Sequence, residues 1–398
     1  MKKALSVLLC LAMVISCCSM LASADRIHTL SFDANGEFKI LHLSDIQDDY
    51  PIQGETLQFI RETLRTYKPD LVVLGGDNTV GSSSDNDPEG TAAKCIEQLC
   101  KVFTEEKTYF TLVFGNHDHQ QIAKSNSEAD HDRVDSYLLG QYQKYGGAYC
   151  LAYDADDSLF GVGTHNLPIY SSKTPDKVAY NLWMLDSGGY EMGADGEEGY
   201  AAVHPDQLAY MKTVTSRLVA DNGTNIRSMA FQHIIVGEIM DELYVTVPTK
   251  LGFLSKFCND KEYLLIPNLF KISGFLGEAP CPGATNYGEL DTLSQIGTVA
   301  VFSGHDHTNA FTTQIKGVDV VNTPGCTFHS YGQIHSRGGR LITLHEGSAK
   351  YDSEILTLSE AALQKGSAIL EGATETNVAA CIFGVILNRF LNLVCGKY

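Results

Sequence analysis

The chain has 398 residues, 44% hydrophobic and 19% charged, with a formal net charge of −19. Such a composition excludes a disordered chain and leaves room for one large domain or two ordinary ones. The acidic balance argues against a nucleic-acid-binding surface, and an anionic substrate would need a local source of positive charge such as bound metal cations.

At the N-terminus, Lys2 and Lys3 precede an apolar run from Ala4 to Leu21, and Ala22-Ser23-Ala24 has the small-x-small form of a signal-peptidase site. Residues 1–24 therefore read as an export signal. A retained anchor is one alternative, and lipidation at Cys17 within the lipobox-like Val14-Ile15-Ser16-Cys17 is another. Of the eleven cysteines, Cys10, Cys17 and Cys18 fall in this segment, and the others form no CxxC pair, which argues against a structural zinc site. The density is far below that of a disulfide scaffold, so buried thiols are expected, with one or two bridges of undetermined pairing.

Phe38 to Leu43 predicts a strand ending at Ser44-Asp45-Ile46-Gln47, with His42 as a packed residue within it. Leu57, Ile60 and Leu64 recur at helical spacing over 58–67, and Pro69 closes that helix. Leu71-Val72-Val73-Leu74 is a continuous apolar run, suited to a strand buried on both faces, and ends at Gly75-Gly76-Asp77-Asn78. Strand, helix and strand together predict a parallel crossover. A polar loop over 81–90 leads to a helix over 91–103. Tyr109 to Val113 then predicts a strand that delivers Phe114-Gly115-Asn116-His117-Asp118-His119 at its C-terminal end, where α/β proteins place their chemistry. The polar stretch 120–145 reads as a helix overhanging the site. Residues 149–153, 159–163 and 179–186 read as antiparallel strands of a second sheet, and 188–200 as a Gly- and acid-rich loop. His204-Pro205-Asp206-Gln207 starts a helix through Leu218.

Ser228 to His233 is a further strand ending in a histidine. A long insertion over 234–297 shows little periodicity, and loops of that length are usually functional. Thr298 to Phe302 predicts the strand ending at Ser303-Gly304-His305-Asp306-His307, and strands over 318–321 and 340–345 complete the set. The expected organisation is a signal over 1–24, one domain over 25–350 and a tail over 351–398 carrying an apolar helix. That helix is expected to pack on the domain, with a membrane-surface helix as the alternative.

Strand ends thus collect Asp45 and Gln47, Asp77, Asn116 and His117, His233, and His305 and His307. Oxygen ligands mixed with imidazoles suit two divalent or trivalent first-row metals, with Asp77 as the natural bridge. Two such cations can clamp a phosphoryl oxygen.

The motifs Asp45-Ile46-Gln47, Gly76-Asp77-Asn78, Gly115-Asn116-His117-Asp118, Gln232-His233 and Gly304-His305-Asp306-His307 occur in the order of the calcineurin-like metallophosphoesterases. The chain resembles that family over about residues 36–345, closest to its Dcr2-like branch related to purple acid phosphatases. The resemblance implies a four-layer α/β/β/α sandwich with two mixed sheets. It assigns Asp45, Asp77 and His307 to a first metal and Asp77, Asn116, His233 and His305 to a second, with Mn, Fe, Zn or Mg as candidates. It makes His117 the group that protonates the leaving oxygen or stabilises the transferring phosphoryl group, Asp118 the residue that orients it, and a metal-bound hydroxide the nucleophile. The substrate would be a small phosphate ester; a phosphodiesterase acting on nucleotides or phospholipid headgroups, and a non-catalytic protein that binds a phosphorylated ligand, are the alternatives.

Two departures stand out. Gln47 occupies the place of the usual His of the first motif, which implies a looser first site that favours Mn or Mg. No Tyr follows Asp77, so the purple enzymes' tyrosinate ligand is absent from the motif. His119, His329 and His335 are left as candidates for the rim of the site. His28, His131, His165, His204 and His345 read as structural or surface residues.

Overall fold

The computed structural model describes residues 30–80, 87–120, 122–125, 127–193, 196–370 and 375–395. The expected export signal and His28 lie outside them. In chain order, β1 (Glu37–Leu43), α1 (Gly54–Tyr67), β2 (Leu71–Gly75), α2 (Pro88–Glu105) and β3 (Tyr109–Val113) form two successive crossovers. Every residue of β2 is buried, as its apolar run requires. Asp87 caps α2 by accepting the Gly90 N–H, with Pro88 at the first helical turn. There follow α3 (Asn116–Gln120), α4 (Glu128–Gly146), β4 (His165–Tyr170), β5 (Val178–Met184), β6 (Tyr190–Met192), β7 (Glu198–Tyr200), α5 (Pro205–Asn222) and β8 (Arg227–Phe231).

Beyond β8 come α6 (Ile239–Leu243), β9 (Val245–Val247), β10 (Ser255–Cys258), β11 (Lys261–Leu264), β12 (Ser273–Phe275) and α7 (Glu289–Gln295). The chain ends with β13 (Thr298–Ser303), β14 (Ala310–Ile315), β15 (Val318–Asn322), β16 (Gly338–His345), β17 (Tyr351–Thr357), α8 (Leu358–Ala362) and α9 (Glu375–Cys395).

Two mixed sheets carry the fold. The first has the order β17-β16-β1-β2-β3, and the second the order β12-β14-β15-β13-β8-β5-β4. β1, β2 and β3 run parallel, as do β15, β13, β8 and β5. The sheets face each other across an apolar layer that includes Phe38, Ile40, Leu71 and Val73 from one and Leu182, Met229, Phe231 and Phe302 from the other. The outer face of the first sheet is covered through Phe59, Ile60, Ile96, Phe103, Leu138 and Tyr142 of α1, α2 and α4. The outer face of the second is covered through Leu208, Met211, Met240 and Leu290 of α5, α6 and α7. The layers are therefore α/β/β/α, as expected.

Several expectations are corrected. Residues 149–153 and 159–163 are turns and extended chain; the strand there is β4, antiparallel to β5. The helix expected over 120–145 divides into α3 and α4, and α4 packs on α2 as part of the outer layer. Within the expected loop over 188–200, β6 and β7 pair as an antiparallel ribbon. The insertion after β8 is ordered: β9, β11 and β10 make a small antiparallel sheet, and β12 adds an edge to the second sheet. The domain runs past the expected boundary at 350, because β17 pairs with β16. Cys95, Cys100, Cys258, Cys326 and Cys381 are buried thiols and Cys281 a half-buried one.

The tail helix α9 packs on α8 and β12 and buries Cys381 and Asn388, while Ile382, Phe383, Ile386, Phe390 and Leu393 face outward. Among the described residues, no helix is long and apolar enough to cross a membrane.

One buried cation ties the sheets together. Arg340 of β16 is 1% exposed and donates to Thr323 Oγ1 (3.2 Å), Asn322 O (2.9 Å) and Ser353 Oγ (2.8 Å). Thr323 Oγ1 also meets His42 Nδ1 at 2.9 Å, so the packed histidine of β1 belongs to the same network. Arg340→Ala leaves these acceptors unpaired and opens a cavity, and we expect a loss of about 2–4 kcal/mol. Urea unfolding checks this through a lowered midpoint at unchanged slope.

Candidate metal centre

The parallel strands deliver polar residues to one edge. Asp45, Asp77 and Asn116 follow β1, β2 and β3; His233 follows β8, and His305 and His307 follow β13. This is the carboxyl edge of both sheets, where strand ends leave room for a site. Asp45, Gln47, Asp77 and His305 all have positive φ (53°, 42°, 48° and 68°). Left-handed backbone at non-glycine residues is costly and concentrates where a site imposes it. Two glycines admit the close approach: a Cβ at Gly304 would lie 2.5 Å from Asp45 Oδ2, and one at Gly115 would lie 2.5 Å from the Asp77 N.

Ligand-type atoms of Asp45, Asp77 and His307 lie within 4.8 Å of one another, as do those of Asp77, His233 and His305. The two triads share Asp77. Asp77 Oδ2 is 3.2 Å from His233 Nε2, while Oδ1 accepts the His117 N–H at 2.7 Å. Asp45 Oδ1 is 3.3 Å from His307 Nε2. Both outer imidazoles are oriented from behind, His233 Nδ1 by Gly75 O (3.0 Å) and His307 Nδ1 by Tyr331 O (3.0 Å), so each presents Nε2 inward. Tyr331 also stacks on His307 at 4.2 Å. Asn116 is fully buried, and its Oδ1 has no hydrogen-bond partner.

Charge follows from this packing. Burial pushes the Asp45 and Asp77 carboxyls up, and the neighbouring imidazoles of His307 and His233 overcome it and hold both down. Burial holds the His305 imidazole down, to about 3, in the neutral form that can offer a lone pair. Carboxylate oxygens, neutral imidazole and an unpartnered amide oxygen fit a pair of first-row divalent cations.

Several expected residues differ in detail. Asp118 does not meet His117. Its Oδ1 accepts Asn78 N (3.0 Å) and Thr79 N (3.1 Å), and its Oδ2 accepts Gly115 N (2.9 Å), so it staples the loop after β2 to the loop after β3. His117 Nδ1 instead faces Gln120 Oε1. Gln47 reaches the site, but its Nε2 donates towards Asp77 Oδ2 at 3.5 Å, which makes it a donor to the shared carboxylate. His329 lies 3.5 Å from Asp48 Oδ1, beside Gln47, whereas His335 packs edge-on against Phe275. His119 is 2% exposed and pairs with Asp135 at 3.0 Å, so it is no solvated loop residue.

The ribbon above the centre is not visible in the sequence pattern. Tyr190 OH accepts Asn116 Nδ2 at 3.3 Å, and Tyr200 meets the His305 ring edge-on at 4.3 Å. The two tyrosines stack at 5.3 Å. Their segment reads as a loop because glycine and acid dominate it. Asp306 is the other silent contributor: its carboxylate accepts Cys281 N at 3.2 Å and fastens the insertion to the edge of the site.

A family model, calcineurin-like phosphoesterase, matches residues 38–199. That span contains Asp45, Asp77 and Asn116; His233, His305 and His307 lie beyond it. The chain is 28% identical over 337 residues to probable inactive purple acid phosphatase 29 of Arabidopsis thaliana, covering 80% of this chain and 79% of that protein. It is 26% identical to phosphatase DCR2 of Saccharomyces cerevisiae, over 69% of this chain and 45% of that protein. A dimetal phosphatase from Danio rerio aligns in structure over 79% of this chain and 98% of its own, with a TM-score of 0.43 and 12% identity.

Two substitutions test the geometry. Asp118→Asn puts a donor opposite backbone N–H groups, and we expect a loss of about 1–3 kcal/mol in denaturant unfolding. Gln47→His adds an imidazole where the amide donates. Metal stoichiometry through graded dialysis should then show the more weakly held cation retained longer than in the parent; parallel loss in both proteins would place residue 47 outside the ligand set.

Proposed function

We propose that this chain is a calcineurin-like phosphoesterase that hydrolyses a small phosphate ester at the centre built around Asp77. One observation carries the reading: the two ligand triads share that carboxylate and draw on both sheets. When bound, a pair of cations there would supply the positive charge and Lewis acidity that phosphoryl transfer needs in so acidic a chain. Asp45, Asp77 and His307 would hold one, and Asp77, Asn116, His233 and His305 the other.

The chain's own residues do the rest. His117 is the half-buried member of the group; its N–H is fixed on Asp77 and its ring on Gln120, which leaves Nε2 for the substrate. It is placed to give a proton to the leaving oxygen. Tyr190 and Tyr200 lie against Asn116 and His305. Export through residues 1–24 is part of the same proposal and rests on the composition of that segment.

A non-catalytic reading has specific support. Gln47 stands where a His is usual, and curated relatives carry the words "probable inactive". In favour of catalysis, His117 remains in place, and ligand binding alone gives that residue no task.

The deciding experiment is turnover of 4-nitrophenyl phosphate by protein reconstituted with Mn or Zn. Hydrolysis that disappears with Asp77→Asn supports the enzyme; phosphate binding with no turnover supports the binder. His117→Ala should lower turnover about 10²–10⁴-fold with metal content kept. The loss should be smaller for aryl esters with better leaving groups, since they need less protonation. Saturating metal should also raise Tm, by an amount equivalent to about 3–4 kcal/mol at a hundred to a thousand times Kd, and Asp77→Asn should abolish that rise.

A further inference from the structure

The tail helix α9 is built inside out. Its buried face carries Cys381, Gly384 and Asn388, so a thiol, a glycine and an amide are what it turns to the domain. The seat is close: a Cβ at Gly384 would lie 2.6 Å from Ser359 Oγ and 2.7 Å from Ile334 O. On the opposite side Val378, Ile382, Ile386, Phe390 and Leu393 recur at helical spacing, flanked by Phe383, and all are exposed, Leu393 to 83%. From Val378 to Val394 the sequence has a single charged residue, Arg389. A helix whose outer side met only water would reverse this arrangement and turn its apolar stripe to the core.

The same edge of the molecule holds more apolar surface. α9 packs on β12, and the segment leading into β12 leaves Ile266, Leu269 and Phe270 exposed, the Phe270 ring entirely so. Phe270 precedes Ser273 of β12 by a chain reach of at most about 10 Å.

Size and charge decide what covers the stripe. It is roughly 25 Å long and 10 Å wide, whereas a stable dimer takes about 800 Å² from each partner. A second copy of the chain seated on α9 would bury about a third of that area. A protein partner is also oriented by a polar rim, and the stripe offers Arg389 alone among charged residues. A lipid surface has neither requirement, because fluid acyl chains close around any apolar side chain that enters them. We infer that α9 lies in the surface of a lipid bilayer, its axis along the plane, with Phe383, Ile386 and Phe390 among the acyl chains. It rests on the membrane without crossing it, since no helix among the described residues is long and apolar enough to cross. The headgroups are neutral ones: a chain of formal charge −19 is repelled by an anionic leaflet. This holds whether or not the metal centre is catalytic.

The test is co-sedimentation of the full chain with phosphatidylcholine vesicles. The parent should partition onto them, and the double variant Phe383→Ser, Phe390→Ser should bind about ten- to a hundredfold more weakly, the worth of two partly exposed phenyl rings. Both rings are exposed, so the midpoint of urea unfolding should not move. Raising the salt should leave the parent's binding unchanged, and phosphatidylserine vesicles should bind it less. Phe390→Trp adds a direct signal, because the one native tryptophan, Trp183, is fully buried. Its added emission should shift to the blue when vesicles are present. The apolar run over 4–21 is common to all these proteins, so vesicle binding that the double variant keeps in full overturns the inference. So does a parent that stays in the supernatant, a residue-390 emission that does not shift, or salt-sensitive binding that favours phosphatidylserine. A dimer in light scattering that the double variant dissolves also overturns it, since a second copy then covers the stripe.

Discussion

Two buried carboxylates, Asp45 and Asp77, sit side by side at the carboxyl edge of the first sheet, and the arrangement of the molecule turns on keeping them there. Neither is more than 1% exposed. Like charges out of water repel, and each needs a partner of opposite sign or a set of donors. The second sheet supplies both. His233 and His307 face the carboxylates, and the His305 N–H reaches Asp45 at 3.1 Å. The packing of one sheet on the other is therefore also the assembly of the site, and a shift between the sheets would expose charge before it exposed much apolar surface.

Backbone donors finish the work that side chains begin. Asp118 gathers N–H groups from two loops, and Asp306 accepts the Cys281 N–H of the insertion. Each lies next to a histidine in its motif, yet neither has that histidine as its partner among these bonds. A carboxylate that accepts several N–H groups fixes loop geometry more rigidly than one imidazole would, because each bond constrains a different residue.

Much of this was legible in the sequence for a physical reason. A strand buried on both faces must be a run of apolar residues, and a turn that leaves it abruptly needs glycine; Leu71 to Gly76 and Thr298 to Gly304 show both. The residues just after such turns have few places to go but the sheet edge. Edge strands obey weaker rules, and there the reading failed. β4 contains Pro168, which only an edge position tolerates, and β17 is largely exposed and polar, so neither shows a core pattern. The small sheet of the insertion escaped notice for the same reason. Asp118 reads as the partner of His117, but adjacency along a short helix does not bring side chains together. The ribbon over the centre was invisible, since its effect arises from two tyrosines whose spacing has meaning only once the hairpin is closed.

That ribbon stands outside both sheets. It touches a candidate ligand from each through Tyr190 and Tyr200, and it forms a wall of two neighbouring cavities. The residues that must stay fixed for the centre to assemble are thus separate from those that shape the space around it. Substitutions in the hairpin can redraw the space around the centre while the carboxylates and imidazoles keep their places. In evolutionary terms, the scaffold is free to change what it recognises without first losing what it can do.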